Sequence, residues 1–539
     1  MNMAIMAMAM VRKINNCRPA NFMALLSWFA ISSSTLAGEW QFVPNFGIEE
    51  TYTDNVELTI KDPISSLVSQ ADIGLDAEYQ SRLASFSFSG ESNNLFFSHD
   101  SDINDRYLTL NTQGQFYLWT SGPELFATAT VANTNRNSAN NGLADLVSGD
   151  TVQSENYSTG LRYNVNNSTF SLQSSLAYSI SRFEDGIGEY NGVSASLNSR
   201  NSNNARITFW QLASSFSTRN QDFLDETRTG DQYRIDARLG LITSLNFNPF
   251  LRFYDEYLSG DFTNRSQQTT SSWGPGIRWL VSEHLTVDLS YNYVADDTVS
   301  DDYVATSIQW EPSARTSLTA GYSQRFFGKS YNLDIKHRTK RLTNTVTYDE
   351  SLEVFDRNNF EQIDVGILWC PSSVGIESIS QCFAQSAQPA SSDFQLANFF
   401  YLAPVESNEF SLNKRFAWAS KLQLARTSFA FNSSASRREG IESKVIDDTL
   451  TAALSINRKI SGKSNLTLLA KYDYRIFDKN NPEGSRQKDH YRTISATYTK
   501  DLASSLSAYF TIQLVNRDSN VEQYTYNEVR AIINVTKEF

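Results

Sequence analysis

The fold class this sequence predicts is all-β: a single large antiparallel β-barrel spanning the outer membrane of a Gram-negative cell. Three observations predict it. Long segments alternate apolar and polar residues, short turns on one side of them face longer polar connections on the other, and the chain ends on an aromatic, Phe539.

Alternation comes first because it fixes the element type. From Leu285 to Tyr293 the odd positions are Leu285, Val287, Leu289, Tyr291 and Tyr293, and Thr286, Asp288, Ser290 and Asn292 stand between them. A period of two gives one apolar and one wet face. The same pattern runs through Phe170 to Ile180, Tyr233 to Leu241, Leu466 to Ile476 and Leu506 to Leu514. Soluble β-sandwiches alternate too, so length decides. Strands of soluble sheets cluster near 5 or 6 residues, whereas a tilted membrane-crossing strand needs ~9 to 11. Tyrosines close the apolar face, as Tyr472 and Tyr474 do, where an aromatic girdle meets lipid headgroups.

The turns give the second regularity. Short connections fall at Ser121-Gly122-Pro123, Asn166-Asn167, Asn201 to Asn204, near Thr243, at Ser282 to His284, Pro312 to Ala314, near Lys340, at Ser461 to Ser464 and near Ser504. Longer polar connections alternate with them at 98–104, 135–152, 219–229, 261–269, 437–445 and 478–487. The short side is periplasmic and the long side extracellular. This scheme counts about 24 strands, in a range of roughly 20 to 26, and the first runs from Trp40 to Thr53. Both ends of the chain then lie on the short-turn side, as an even, closed, antiparallel sheet demands. Residues 353–405 form one long connection with no predicted structure, the size of a functional loop.

Residues 1–37 read as a signal peptide. Arg12, Lys13 and Arg18 precede the apolar stretch Phe22 to Ile31, and Thr35-Leu36-Ala37 supplies the small residues of a cleavage site after Ala37. The alternative, a membrane anchor, is disfavoured by the short apolar core, interrupted by Ser27. The barrel occupies 38–539, and its pattern starts so soon after the cleavage site that no room is left for an N-terminal plug domain. Elsewhere no apolar run reaches the ~18 residues of a spanning helix, and mean hydropathy is negative.

The chain carries a net charge of −13; removing three basic and no acidic residues takes the mature form to −13 − 3 = −16. Such acidity argues against nucleic acid as a partner. With Cys17 in the signal segment, Cys370 and Cys382 remain, and an even pair in an exported chain predicts a local disulfide. A metal site is the alternative, but no histidine lies near either cysteine. The four histidines are His99, His284, His337 and His490; each can be imagined beside a carboxylate, as in His99-Asp100 or Asp489-His490. Nothing further organises them, and no P-loop, dinucleotide fingerprint or metal cluster is present. No enzyme activity and no cofactor are expected.

The wet face is more informative. Charges of both signs alternate along it at Arg234, Asp236 and Arg238, at Asp334, Lys336 and Arg338, and at Lys471, Asp473 and Arg475. Two readings stand side by side: a self-neutralising network lining a wide wet interior, and a permeation path for a polar solute or polymer.

Two resemblances extend the residue reading. From Phe539 backwards, Val535, Ile533, Ala531 and Val529 alternate, with Lys537 the exception. This ending resembles the recognition signal of the outer-membrane assembly machinery. At the other end Trp40, Pro44 and Glu50-Thr51-Tyr52-Thr53-Asp54-Asn55 resemble the opening of outer-membrane proteins associated with the PEP-CTERM and exosortase system. That resemblance implies a barrel belonging to an exopolysaccharide locus, acting as conduit or scaffold, with secreted polysaccharide and export components as partners alongside outer-membrane lipid. A general porin or solute transporter and a structural surface-anchoring barrel are the alternatives. The residues themselves give Asp54 and Asn55 a local role, as turn-bonding side chains where the first strand ends.

Overall fold

The computed structural model describes residues 38–143, 145–202, 205–223, 226–263, 268–295, 301–353, 360–371, 383–384, 394–404, 409–477 and 486–539. The signal peptide of residues 1–37 lies outside them. The first half of the barrel is built from β1 (Gly38–Thr53), β2 (Ser66–Ser81), β3 (Ala84–Phe97), β4 (Asp105–Tyr117), β5 (Glu124–Asn135), β6 (Thr151–Asn166), β7 (Phe170–Phe183), β8 (Tyr190–Asn201), β9 (Thr208–Phe223), β10 (Glu226–Leu241), β11 (Phe247–Gly260) and β12 (Gln268–Ser282). Then follow β13 (Leu285–Val294), β14 (Tyr303–Ser313), β15 (Thr316–Arg325), β16 (Gly328–Arg338) and β17 (Leu342–Glu353). Three strands outside the barrel are β18 (Phe360–Pro371), β19 (Phe383–Ala384) and β20 (Phe394–Pro404). The ring resumes with β21 (Ser411–Gln423), β22 (Thr427–Gly440), β23 (Ile446–Ser461), β24 (Ser464–Phe477), β25 (Gln487–Ala503), β26 (Leu506–Ser519) and β27 (Tyr526–Glu538).

Twenty-four of these strands form one antiparallel ring, each paired with its neighbour and β1 with β27. Closure leaves no edge with unpaired N–H and C=O groups, which hydrocarbon would not tolerate. Ring strands run from 10 to 17 residues, long enough to cross a bilayer at a tilt. None of the described helices is long and apolar enough to cross.

β11 shows how sequence becomes wall. Asn248, Phe250, Arg252, Tyr254, Glu256 and Leu258 are buried on the inner face, while Phe247, Leu251 and Phe253 point outward and are exposed. Around the ring the outward residues include Leu239, Ile277, Leu289, Ile494, Ile512 and Ile533, all exposed. Aromatics gather at both rims. Trp40 stacks on Phe42 at 5.3 Å and meets Tyr79 at 4.9 Å at the short-turn end, where Phe247 also stacks on Trp279. Tyr233 with Tyr257, and Trp273 with Tyr293, sit towards the other end.

The expected first strand, Trp40 to Thr53, begins two residues earlier, and the strand count and parity agree with the expectation. Two expectations change. Residues 219–229 are not a polar loop: β9 and β10 stay paired up to Phe223 and Glu226, because alternating Thr, Arg and Asn residues can continue a ladder above the membrane. Residues 353–405 are not structureless either. β18 pairs with β20 from Phe360↔Pro404 to Pro371↔Phe394, and β19 adds two residues beside β18. Ile363, Val365, Ile367 and Trp369 supply the β-forming period of two in this segment.

The wall is unevenly curved. Neighbouring strands are about 4.8 Å apart, so strands four apart on a gently curved wall are separated by roughly 19 Å. Yet Arg252 on β11 donates to Ser323 Oγ on β15 at 3.3 Å, and Arg325 on β15 pairs with Glu256 on β11. An arginine and a serine do not span that gap, so the wall between β10 and β17 bends sharply inward.

Candidate functional site: the barrel interior

The bend turns one arc of the inner face into a pocket of about 410 Å3, lined among others by Arg234, Asp236, Arg238, Arg252, Ser323 and Asn332. Its floor is a charge ladder. Arg252 holds Asp236 through two bonds of 3.1 and 2.8 Å, Arg238 reaches Asp288 at 2.7 Å, and Arg278 grips the same carboxylate at 2.7 and 2.8 Å. Arg325 donates to both oxygens of Glu256, which also accepts from Tyr254 Oη at 2.9 Å. These are charge-assisted, largely bidentate contacts: Arg252–Asp236 and Arg278–Asp288 join adjacent strands, whereas Arg238–Asp288 reaches from β10 to β13 and Arg325–Glu256 from β15 to β11. The two longer contacts set the bend, since Arg238 and Arg325 find their carboxylates only if the strands approach.

Of the nine charges expected on the wet face, Arg234, Asp236 and Arg238 meet in this pocket. On β16, Asp334 and Lys336 pair at 3.0 Å and are exposed, and Arg338 is two residues further along the same face. Lys471 and Asp473 pair at 2.8 Å on β24, where Asp473 is buried and also accepts from Thr451. Arg475 belongs to a different structure, one that sequence reasoning missed.

The connection between β5 and β6, described at residues 136–143 and 145–150, folds into the barrel below its long-loop mouth and docks on the inner face of β24 to β27. Arg517 Nη2 donates to Ala139 O at 2.5 Å, its Nη1 to Asn140 O, and the guanidinium pairs with Asp489 at 2.8 Å. Gln487 Nε2 donates to Ala139 O at 2.9 Å, Arg475 Nη2 to Gly142 O at 3.1 Å, and Gly142 N to Tyr491 Oη at 2.9 Å. Further along, Asp145 pairs with Arg530, and Ser148 Oγ donates to Glu528 at 2.8 Å. Apolar contacts join in: Ala139 packs on Phe477, and Leu143 on Tyr491, Val515 and Tyr526. At Gly142 a Cβ would come within 2.7 Å of Arg475 Nη1 and 2.9 Å of Tyr491 Oη, so a larger residue would push these two side-chain ends aside. The sequence signal was an Asn-rich run closed by this glycine, which reads equally well as an ordinary solvated loop.

A second bridge crosses the mouth. Phe410, just before β21, packs edge-on against Phe262, just after β11, with centroids 6.1 Å apart. Phe410 N donates to Phe262 O at 3.2 Å, and Leu258, Phe326, Leu352 and Ile441 complete the cluster.

The histidine pairings do not assemble catalytic groups. Asp489 and His490 are consecutive on β25 and face opposite sides: Asp489 is inside against Arg517, while His490 stacks on Tyr474 at 4.5 Å and meets Tyr472 Oη at 2.8 Å outside. His99 Nδ1 lies 2.8 Å from Ser66 Oγ, but Ser66 is 2% exposed, and Asp100 turns away to cap Asp102 N. The disulfide expected between Cys370 and Cys382 lies outside the described residues. Asp54 and Asn55 do more than bond locally. Asn55 binds Thr59 within its own loop and donates to Asn527 O at 2.9 Å, and Asp54 accepts from Val529 N at 2.8 Å. The opening motif therefore clasps the first strand to the last. At the other end of that seam, Phe539 N donates to Pro44 O at 2.9 Å.

A closed ring with an apolar outer belt, aromatic rims and a charged interior has one stable setting, a lipid bilayer entered through the periplasm. The chain is an outer-membrane β-barrel. No family model matches the sequence, and no curated protein does. Solved structures with which it shares similarity include the siderophore receptor PirA of Acinetobacter baumannii, at 9% identity over 93% of this chain and 80% of that one with a TM-score of 0.44. The ferric enterobactin receptor PfeA of Pseudomonas aeruginosa matches at 12% identity over the same shares, with a TM-score of 0.41. OmpT of Vibrio cholerae matches at 10% identity over 65% of this chain and 98% of that one, with a TM-score of 0.24. What the interior does rests on this chain's own geometry.

Proposed function

We propose that the protein is a passive outer-membrane channel for polar solutes, narrowed by the inserted segment 136–150, and that it performs no covalent chemistry. The observation that carries this reading is the docked segment itself. A barrel serving only as a scaffold needs no loop folded inward and held by Arg517, Gln487, Arg475 and Arg530, whereas a channel of this width needs a constriction to select what passes. The wet, charge-lined arc opposite supplies a polar path. Purified full-length protein in planar bilayers is expected to give discrete conductance steps, and in liposomes to admit small sugars. Absence of both, also from a variant whose segment is undocked, leaves a structural barrel.

A second reading is favoured by the opening strand: the Trp40, Pro44 and Glu50-to-Asn55 resemblance supports membership of an exopolysaccharide locus, with polymer and export components as partners. A deletion strain that keeps nutrient uptake but loses secreted polysaccharide supports that reading over the general channel. Unchanged secretion removes it.

A further inference from the structure

We infer that the pocket between β10 and β17 is a binding site for an anionic solute bearing a carboxylate or phosphate group, with Arg234 as its specificity-determining residue; this rests on the channel reading. Each of the other arginines in the arc is committed. Arg252 is on Asp236, Arg325 on Glu256, and Arg238 and Arg278 share Asp288. Five arginines, Arg234 included, thus stand against Asp236, Glu256 and Asp288, with Asp349 and Glu350 also on the pocket lining.

Arg234 is the one arginine of these five left without a carboxylate partner among the described residues. It lines the pocket, is exposed to the interior, and makes no hydrogen bond or ion pair among the described residues. Its cross-strand neighbour is Glu256, the natural partner in the ladder, but both oxygens of Glu256 are taken by Arg325 and one of them also by Tyr254. The structure thus spends its nearest carboxylate on another arginine and leaves Arg234's planar fork of donors facing open space. Such a fork matches a carboxylate or phosphate in two parallel bonds. Ser323, Asn332 and Ser307 line the same space and supply neutral donors for the rest of a polar molecule. The volume of about 410 Å3 suits a small metabolite. A simple self-neutralising lining would pair Arg234 with Glu256.

The test is titration calorimetry on the intact barrel in detergent with succinate, inorganic phosphate and, as a cationic control, putrescine. Saturable binding of succinate or phosphate, none of putrescine, and a loss of about tenfold or more in Arg234→Gln are expected. Arg234→Lys keeps the charge without the fork and is expected to fall between the two. Folding of each variant is verified by its heat-modifiable gel shift. Succinate binding alone identifies a carboxylate solute, and phosphate binding alone identifies a phosphate. No saturable anion binding, or binding unchanged in Arg234→Gln, overturns the inference. Because binding is measured without flux, anion binding by a barrel that does not conduct leaves the site standing and removes only the channel.

Discussion

Arg517 and Asp489 form an ion pair sealed from solvent, 1% and 0% exposed, and the same guanidinium holds the carbonyls of Ala139 and Asn140. One side chain on β26 therefore ties the wall to a segment that left the wall more than 370 residues earlier. Removing Arg517 alone would leave Asp489 buried and unpaired, at a cost of about 3 to 5 kcal/mol. The informative change is the pair together, Arg517→Leu with Asp489→Leu. The wall keeps its packing and the segment loses its principal anchor. Single-channel conductance is expected to rise and to become noisier, with the gel shift of the folded barrel retained. Unchanged conductance would show that segment 136–150 does not set the pore.

The seam gives a second expectation. Asn55 makes three side-chain hydrogen bonds, two to Thr59 in its own loop and one across the β1–β27 joint to Asn527, and Asp54 makes one across the joint to Val529. At about 0.5 to 1.5 kcal/mol each, Asp54→Ala with Asn55→Ala is expected to destabilise the barrel by roughly 3 kcal/mol and lower its heat-modification midpoint. A midpoint equal to that of the parent would mean the motif serves something other than closure. Loss of polysaccharide secretion with an unchanged midpoint and surface level would support the polymer reading.

The other end of the seam concerns assembly. Lys537 sits on the outward face, yet its ammonium reaches Ser505 Oγ at 2.5 Å and lies 5.7 Å from the Phe539 ring. A lysine at the rim snorkels its charge towards water, so Lys537→Leu is expected to change stability by only ~0 to 1 kcal/mol. Phe539→Ala removes the terminal aromatic and is expected to reduce the amount of folded barrel in outer-membrane fractions several-fold while leaving the stability of the folded fraction nearly unchanged. Equal yields would remove the assembly role assigned to this residue.

Strand identity, number and facing were legible because they follow from a local period of two: β13 and β24 are visible in their own residues. The ring's shape was not. The bend at β10 to β17 depends on Arg252 meeting Ser323, Arg238 meeting Asp288 and Arg325 meeting Glu256, contacts between residues up to 71 apart that no local pattern encodes. The docked segment was hidden for the same reason. Asn137, Asn140 and Asn141 suit a solvated turn as well as a docked one, and only the partners Arg517, Gln487 and Tyr491 decide between them. Asp54 and Asn55 were legible as turn formers, while their bonds to Asn527 and Val529 cross almost the whole chain.

The last expectation separates the energetics of the charge ladder from its geometry. Arg325 and Glu256 are nearly buried, at 8% and 4% exposure, and Tyr254 Oη adds a hydrogen bond to the same carboxylate. Burying two ions costs several kcal/mol each, and their attraction only offsets this if every lone pair is used. Glu256→Gln removes the countercharge while keeping the shape, so the barrel is expected to lose about 3 to 5 kcal/mol in guanidinium unfolding followed by tryptophan fluorescence. Tyr254→Phe removes one hydrogen bond and is expected to cost about 1 to 2 kcal/mol, since the acceptor it leaves is charged. Arg325→Met with Glu256→Met removes both charges and keeps much of the volume, and is expected to recover most of the loss. If the double variant is as unstable as Glu256→Gln, the pair's net attraction, and not merely the penalty of an orphaned charge, holds β11 against β15. If it is as stable as the parent, the bend is kept by packing, and the ladder is there for what it presents to the interior.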